Sequence, residues 1–253
     1  MRPVIIGLLV FALTSGGFLA AMLLSAALPE HHLSKDSRET AKLGVGLIAT
    51  VTALVLGLVI ASVKSSFDDL STAVKHTAAE ILTLDRTLAR YGPETQEIRE
   101  QLKSVVQQRL EMTWPQGPSQ PARLDSADLT RQAEQLVDQL HRLPPQNDDQ
   151  RWLKAKAVDL TESLLSARWI LASSAGSSVP GPFLGILIFW LTAIFACFGL
   201  FAPRNATVTA VLLVCAFSVA GAMFLILEME SPFGGLVRIS PEPIRYAYSR
   251  INQ

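Results

Sequence analysis

The chain has 253 residues, of which 49% are hydrophobic, and its 22 Lys and Arg balance 22 Asp and Glu to a formal net charge of zero. Balanced, interspersed charge argues against a nucleic-acid groove. The hydrophobic residues are concentrated in four blocks, Pro3–Leu28, Leu43–Val63, Phe183–Phe201 and Ala206–Leu227, each at least 19 residues long. A helix needs about 20 apolar residues to cross a hydrocarbon core, so the blocks read as four spans. The expected fold class is an all-α membrane protein with a cytoplasmic helical bundle, its second span continuous with a long cytosolic helix. The divisions are 1–63 for spans one and two, 64–178 for the bundle, 179–229 for spans three and four, and 230–253 for a cytoplasmic tail.

Span one opens after Arg2 and carries Gly7, Ser15, Gly16 and Gly17, small residues that allow close helix approach. Its apolar run is about twice that of a signal peptide, which favours a retained span. Pro29 stops it. The following loop contains His31-His32, a weak metal motif without further Cys or His nearby. Ser37 or Thr40 is placed to cap span two.

Leu43–Val63 runs 21 residues without a charge and ends on Lys64, and no helix breaker follows until Gly92-Pro93. Within it Ala49, Ala53, Gly57 and Ala61 recur at every fourth position, a small-residue stripe suited to helix packing in lipid. Beyond Lys64 the pattern turns amphipathic, with Phe67, Leu70, Val74, Ile81, Leu84, Leu88 and Tyr91 on one face.

A second bundle helix is expected over Glu94–Trp114. A third is capped by Asp125 or Ser126 and ends near Leu143, before Pro144-Pro145. A fourth opens at Asp148 and Asp149, with Trp152, Leu153, Ala157, Leu160, Leu164, Leu165 and Trp169 inward. Asp85 and Arg86 are adjacent and suggest a local ion pair. The polar stretch Lys64–Ser178 holds 14 Lys and Arg and 16 Asp and Glu, which reads as solvated helix faces.

Spans three and four are joined by only Ala202-Pro203-Arg204-Asn205-Ala206, a tight hairpin. Cys197 and Cys215 lie inside these apolar blocks as small core residues. Glu228 and Glu230 follow span four at the membrane edge, paired with a tail arginine or placed at the mouth of an aqueous path. Ile244, Tyr248 and Ile251 are expected to anchor the tail on the bundle. The bias of Lys and Arg puts both termini and the bundle on the cytoplasmic side. No phosphate loop, zinc-spaced cysteine pair or nucleophile elbow is present, so neither an enzyme, a metal site nor a cofactor is expected.

Four segments, HHLSKDSRETAKLGVGLIATVTALVLGLVIASVKSSFD, ILTLDRTLARYGP, PFLGILIFWLTAIFACFGLFAPRNATV and LEMESPFGGLVRIS, resemble bacterial membrane proteins of the bestrophin-like domain family. The resemblance covers nearly the whole chain. It implies the bestrophin plan: a pentameric anion channel in the bacterial inner membrane, four spans per subunit, both termini cytoplasmic, and a neck lined by the second span. Pro232-Phe233-Gly234 after span four matches that plan. The acidic run that grips calcium in animal bestrophins is replaced by Gly235-Leu236-Val237-Arg238, so calcium gating is not implied. Nor does span two carry an aromatic residue before Phe67.

The expected function is therefore an oligomeric ion channel, passing small inorganic anions through a pore lined by Thr50, Leu54, Leu58, Ser62, Lys64 and Phe67. Hydroxyls would replace ion hydration, apolar residues would gate by dewetting, and Lys64 would attract anions. The alternative is a non-conducting scaffold or sensor whose bundle binds a partner. A secondary transporter is weaker, because no charged residue occurs at midspan.

Overall fold

The computed structural model describes residues 3–27, 35–115, 122–123, 126–174, 181–203 and 205–253. Among them the chain is all-α: α1 (Pro3–Leu24), α2 (Lys35–Tyr91), α3 (Gln96–Thr113), α4 (Ala127–Arg142), α5 (Asp148–Ser174), α6 (Gly181–Phe201), α7 (Ala206–Met229) and α8 (Glu242–Arg250). Four of them, α1, α2, α6 and α7, are long and apolar enough to cross a membrane. Helix α2 has 57 residues, about 85 Å of continuous helix. It begins at Lys35, so Ser37 and Thr40 lie inside it and not at its cap. His31, His32 and Arg204 fall outside the described residues, as do Asp125 and the side chain of Trp169.

The chain divides into two compact units, Met1–Ser65 with Ser177–Glu230, and Ser66–Gly176 with Ser231–Gln253. In the first, α1 packs against α6 and α7. The approach is close because of glycine. A Cβ on Gly199 would stand 2.1 Å from the Phe18 carbonyl oxygen, and one on Gly17 would stand 3.0 Å from Thr192 Cγ2. Val10, Val63, Ala220, Met223 and Ile226 form one apolar cluster, and Phe18, Phe195 and Ala216 another. Two threonine hydroxyls bond within their own helices: buried Thr14 Oγ1 donates to Val10 O at 2.8 Å, and half-buried Thr192 Oγ1 to Ile188 O at 2.7 Å. In lipid no water would replace those bonds.

The second unit is built on Leu70, Val74, Ala78, Ile81, Leu84, Leu88 and Tyr91, spaced three or four apart on α2. Ile98, Leu102 and Val106 of α3 close on them, with Leu136 and Leu140 of α4 and Ala157 and Leu160 of α5. Gly92 turns the chain out of α2 at φ 144°, a conformation that favours glycine. Thr95 Oγ1 then closes the turn on Leu88 O at 2.6 Å.

Trp152 does not point inward; it is exposed. It precedes the buried stripe of Leu153, Ala157 and Leu160 by one residue, about 100° around the helix. The ion pair also differs from the expectation. Asp85 is fully buried and binds Arg99, 14 residues on, with Nε–Oδ1 at 2.8 Å and Nη2–Oδ2 at 3.1 Å. Arg86 instead donates to Gln253 O at 3.0 Å.

The last 23 residues belong to this bundle. Phe233, Ile239, Ile244, Ala247 and Ile251 complete its core, and Tyr248 packs at its edge. Helix α8 was hidden in the sequence by its prolines, yet Pro241 and Pro243 lie at its start, where no backbone donor is lost. Trp114 fixes the preceding segment: its ring stands edge-on to Phe233 with centroids 5.4 Å apart, and Nε1 donates to Ile239 O at 2.8 Å. Trp114→Phe keeps an aromatic ring but leaves that carbonyl without its donor. It is expected to cost about 1–3 kcal/mol in denaturant unfolding followed by circular dichroism.

Candidate functional site

The apolar part of α2 has two unlike faces. Leu56, Val59 and Val63 pack on Val10 of α1 and on Ala220, Met223 and Ile226 of α7. Thr52, on the same face, is buried, with Oγ1 donating to Ile48 O at 2.7 Å. The opposite face is uncovered. Leu54 and Leu58 are 65% and 64% exposed, and Leu43 and Leu47 more so. In the most apolar stretch of α2 only 6% of residues are buried, against 28% in each of α1, α6 and α7. Its own chain thus leaves most of this helix for lipid or for other copies.

The expected pore residues do not all share that open face. Thr50, Leu54 and Leu58 do, at helical spacing of four, and all are exposed. Ser62 and Lys64 are exposed at the end of the apolar run. Phe67 belongs to the second unit, where it is half-buried against the bundle core. Its ring is therefore committed to packing. Thr50 Oγ1 donates to Gly46 O at 2.9 Å, so its oxygen presents lone pairs outward and not a proton. An anion needs a donor; the hydroxyl must release Gly46 and rotate to serve one.

The small-residue stripe winds. Each step of four residues advances about 40° around the helix. Ala49 is accordingly half-buried, while Ala53, Gly57 and Ala61 are exposed. A Cβ on Gly57 would meet nothing within 4 Å, unlike those on Gly7, Gly17 and Gly199. The glycines that bring helices together inside the chain lie on α1 and α6. Sequence reading found Gly7 and Gly17 but missed Gly199, whose only signal was a lone glycine near the end of an apolar block.

Glu228 is buried at the end of α7, and Glu230 caps that helix through its backbone N–H to Ile226 O at 3.3 Å. Among the described residues no group of His, Cys, Asp and Glu gathers as metal ligands.

Solved structures share this fold. A variant of a bacterial bestrophin homologue from Klebsiella pneumoniae superposes with a TM-score of 0.69 at 17% identity, covering 97% of this chain and 95% of that one. A second variant gives 0.68 at 17% identity, with 96% and 97% covered. Another structure of the homologue gives 0.63 at 16% identity, with 93% and 94% covered. No curated protein matches the sequence. The profile of the Bestrophin-like domain matches residues 12–244, nearly the whole chain. With four apolar helices on an all-α fold, the chain belongs to the Bestrophin-like family of membrane proteins.

Proposed function

We propose that this protein is an ion channel formed by several copies, five by family resemblance, with α2 of each copy around a central axis. It passes anions across a bacterial inner membrane, with both termini and the helical bundle in the cytoplasm. The observation that carries this reading is the open face of α2. Three spans of the chain bury each other, whereas α2 leaves Thr50, Leu54, Leu58 and Ala61 uncovered. A ring of leucines at two levels makes an apolar constriction that gates by dewetting. Lys64 at the end of the run supplies the positive potential that concentrates anions. Thr50 contributes to hydration only after its hydroxyl turns away from Gly46 O. Ala53 and Gly57, on the flank of the open face, let neighbouring copies approach.

The test is halide flux into liposomes that carry the purified full-length protein. Wild type is expected to conduct, and Lys64→Glu to lower the anion-to-cation preference by roughly tenfold. Thr50→Val is expected to change halide flux less than Lys64→Glu does. Flux with unchanged ion preference in Lys64→Glu would remove Lys64 from the path. A folded, oligomeric protein without flux would favour the scaffold or sensor reading. A cysteine scan over Ala49–Ser62, with Cys197 and Cys215 replaced, adds a second check. Labelling by a water-soluble thiol reagent is expected at positions 50, 54 and 58 and not at 52, 56 and 59.

A further inference from the structure

The first unit contains a groove of about 530 Å³ that the proposed pore does not use. It is formed by one end of α2, the end of α6 and the start of α7. Val45, Gly46 and Ala49 line one wall; Phe198, Val208 and Val211 line the other. Its size falls in the range of small-molecule sites. Phe198 and Val211 remain partly exposed along it, so the groove opens sideways from a layer of membrane-spanning helices. Whatever fills it must be largely hydrocarbon.

Lys42 lines its mouth. Lys42 immediately precedes the charge-free run of α2, which places its ammonium at the level where hydrocarbon gives way to headgroups. Arg38, exposed one turn further out, shares its face of the helix. Thr207 adds a hydroxyl from the start of α7. Among the described residues no carboxylate lines the groove, and Glu39 stands on the adjoining helix face. Apolar walls below two cations complement an acyl chain beneath an anionic headgroup.

We propose that this groove is a binding site for an anionic glycerophospholipid. Lys42 and Arg38 hold the phosphate, and one acyl chain lies between α2, α6 and α7. The proposal is independent of conduction.

Gly46 supplies a selective probe. A Cβ there meets nothing within 4 Å, so a side chain at this position fills the groove without a clash at its root. Replacing a mid-helix glycine also favours the helix. The experiment is native mass spectrometry of the detergent-purified full-length protein, mixed with equal amounts of phosphatidylglycerol and phosphatidylcholine carrying the same acyl chains. Wild type is expected to retain phosphatidylglycerol at least about fivefold over phosphatidylcholine, the range a single surface-level charge or two provides. The double variant Arg38→Gln with Lys42→Gln is expected to bring the ratio near one. Gly46→Phe is expected to lower retention of both lipids several-fold, with the subunit number and circular dichroism unchanged. Equal retention of the two lipids by wild type would overturn the proposal, as would an unchanged ratio in the double variant. Full lipid retention by Gly46→Phe would do the same. A changed subunit number in Gly46→Phe would assign the groove to a second copy of the chain instead.

Discussion

Asp85→Ala is expected to destabilise the bundle by about 3–5 kcal/mol, measured by guanidinium unfolding in detergent and followed by circular dichroism. The carboxylate is fully buried, and the Arg99 side chain it binds is only 12% exposed. Removing Asp85 leaves a guanidinium inside the bundle with neither water nor a counter-charge. The loss extends beyond the pair, because the Asn252 N–H also donates to Asp85 Oδ1 at 3.4 Å. Asn252 holds φ 68°, a left-handed conformation that asparagine tolerates better than most residues. Freed from Asp85, the end of the chain should exchange its amide hydrogens faster from α8 onward. Replacing both partners with leucine is expected to recover most of the lost stability, since the desolvation cost of two charges disappears with them. A cost below about 1 kcal/mol for Asp85→Ala would mean that water reaches Arg99.

Gly199→Ala should have the second large effect, and in the other unit. Its new Cβ would meet the Phe18 carbonyl oxygen at 2.1 Å, and the Phe18 Cα at 3.1 Å. That obstacle is backbone, which cannot rotate away, so α1 and α6 must separate. Overpacking of this kind costs about 1–3 kcal/mol or more, and the separation also opens the contact of Gly17 with Thr192. The expected outcome is a lower melting temperature and poorer recovery of monodisperse protein. Gly16→Ala is the matched control: it lies on the same helix as Gly17, and its Cβ meets nothing within 4 Å. Gly57→Ala is open within the chain in the same way. If copies meet along the flank of α2, that variant should change the subunit count and leave the melting of each copy unaltered.

The four spans were readable from sequence because lipid demands long uncharged runs, and no local context competes with that demand. The bundle core was readable for a related reason. Leu70, Val74, Ile81, Leu84 and Leu88 keep helical period against water, and all are buried. The misses occurred where partners are distant in sequence. Asp85 has a neighbouring arginine, yet it pairs with one reached only after the turn at Gly92. Trp152 is large and apolar but is one position off its stripe. Gly199 looks like any glycine until the backbone of Phe18 lies against it. Helix α8 is short, and its two prolines resemble breakers because the eye meets them before the helix that they begin. For α2, period alone could not separate the face at Leu56 and Val59 from the face at Leu54 and Leu58, since both are apolar. Only the packing of α1 and α7 distinguishes them.

The bundle is discontinuous along the chain: Ser66–Gly176 forms most of it, and Ser231–Gln253 the rest. A ribosome delivers these parts in order, with two hydrophobic helices between them. Ile239, Ile244 and Ile251, three fillers of the core, therefore emerge only after α6 and α7. Until then the core cluster that they share with Leu84, Leu88 and Leu102 is incomplete. The bundle cannot complete its core before α6 and α7 have been made, which ties its folding to the placement of those two helices. A nascent chain stalled before residue 231 should accordingly be protease-sensitive in its bundle, while one extended through residue 253 should not.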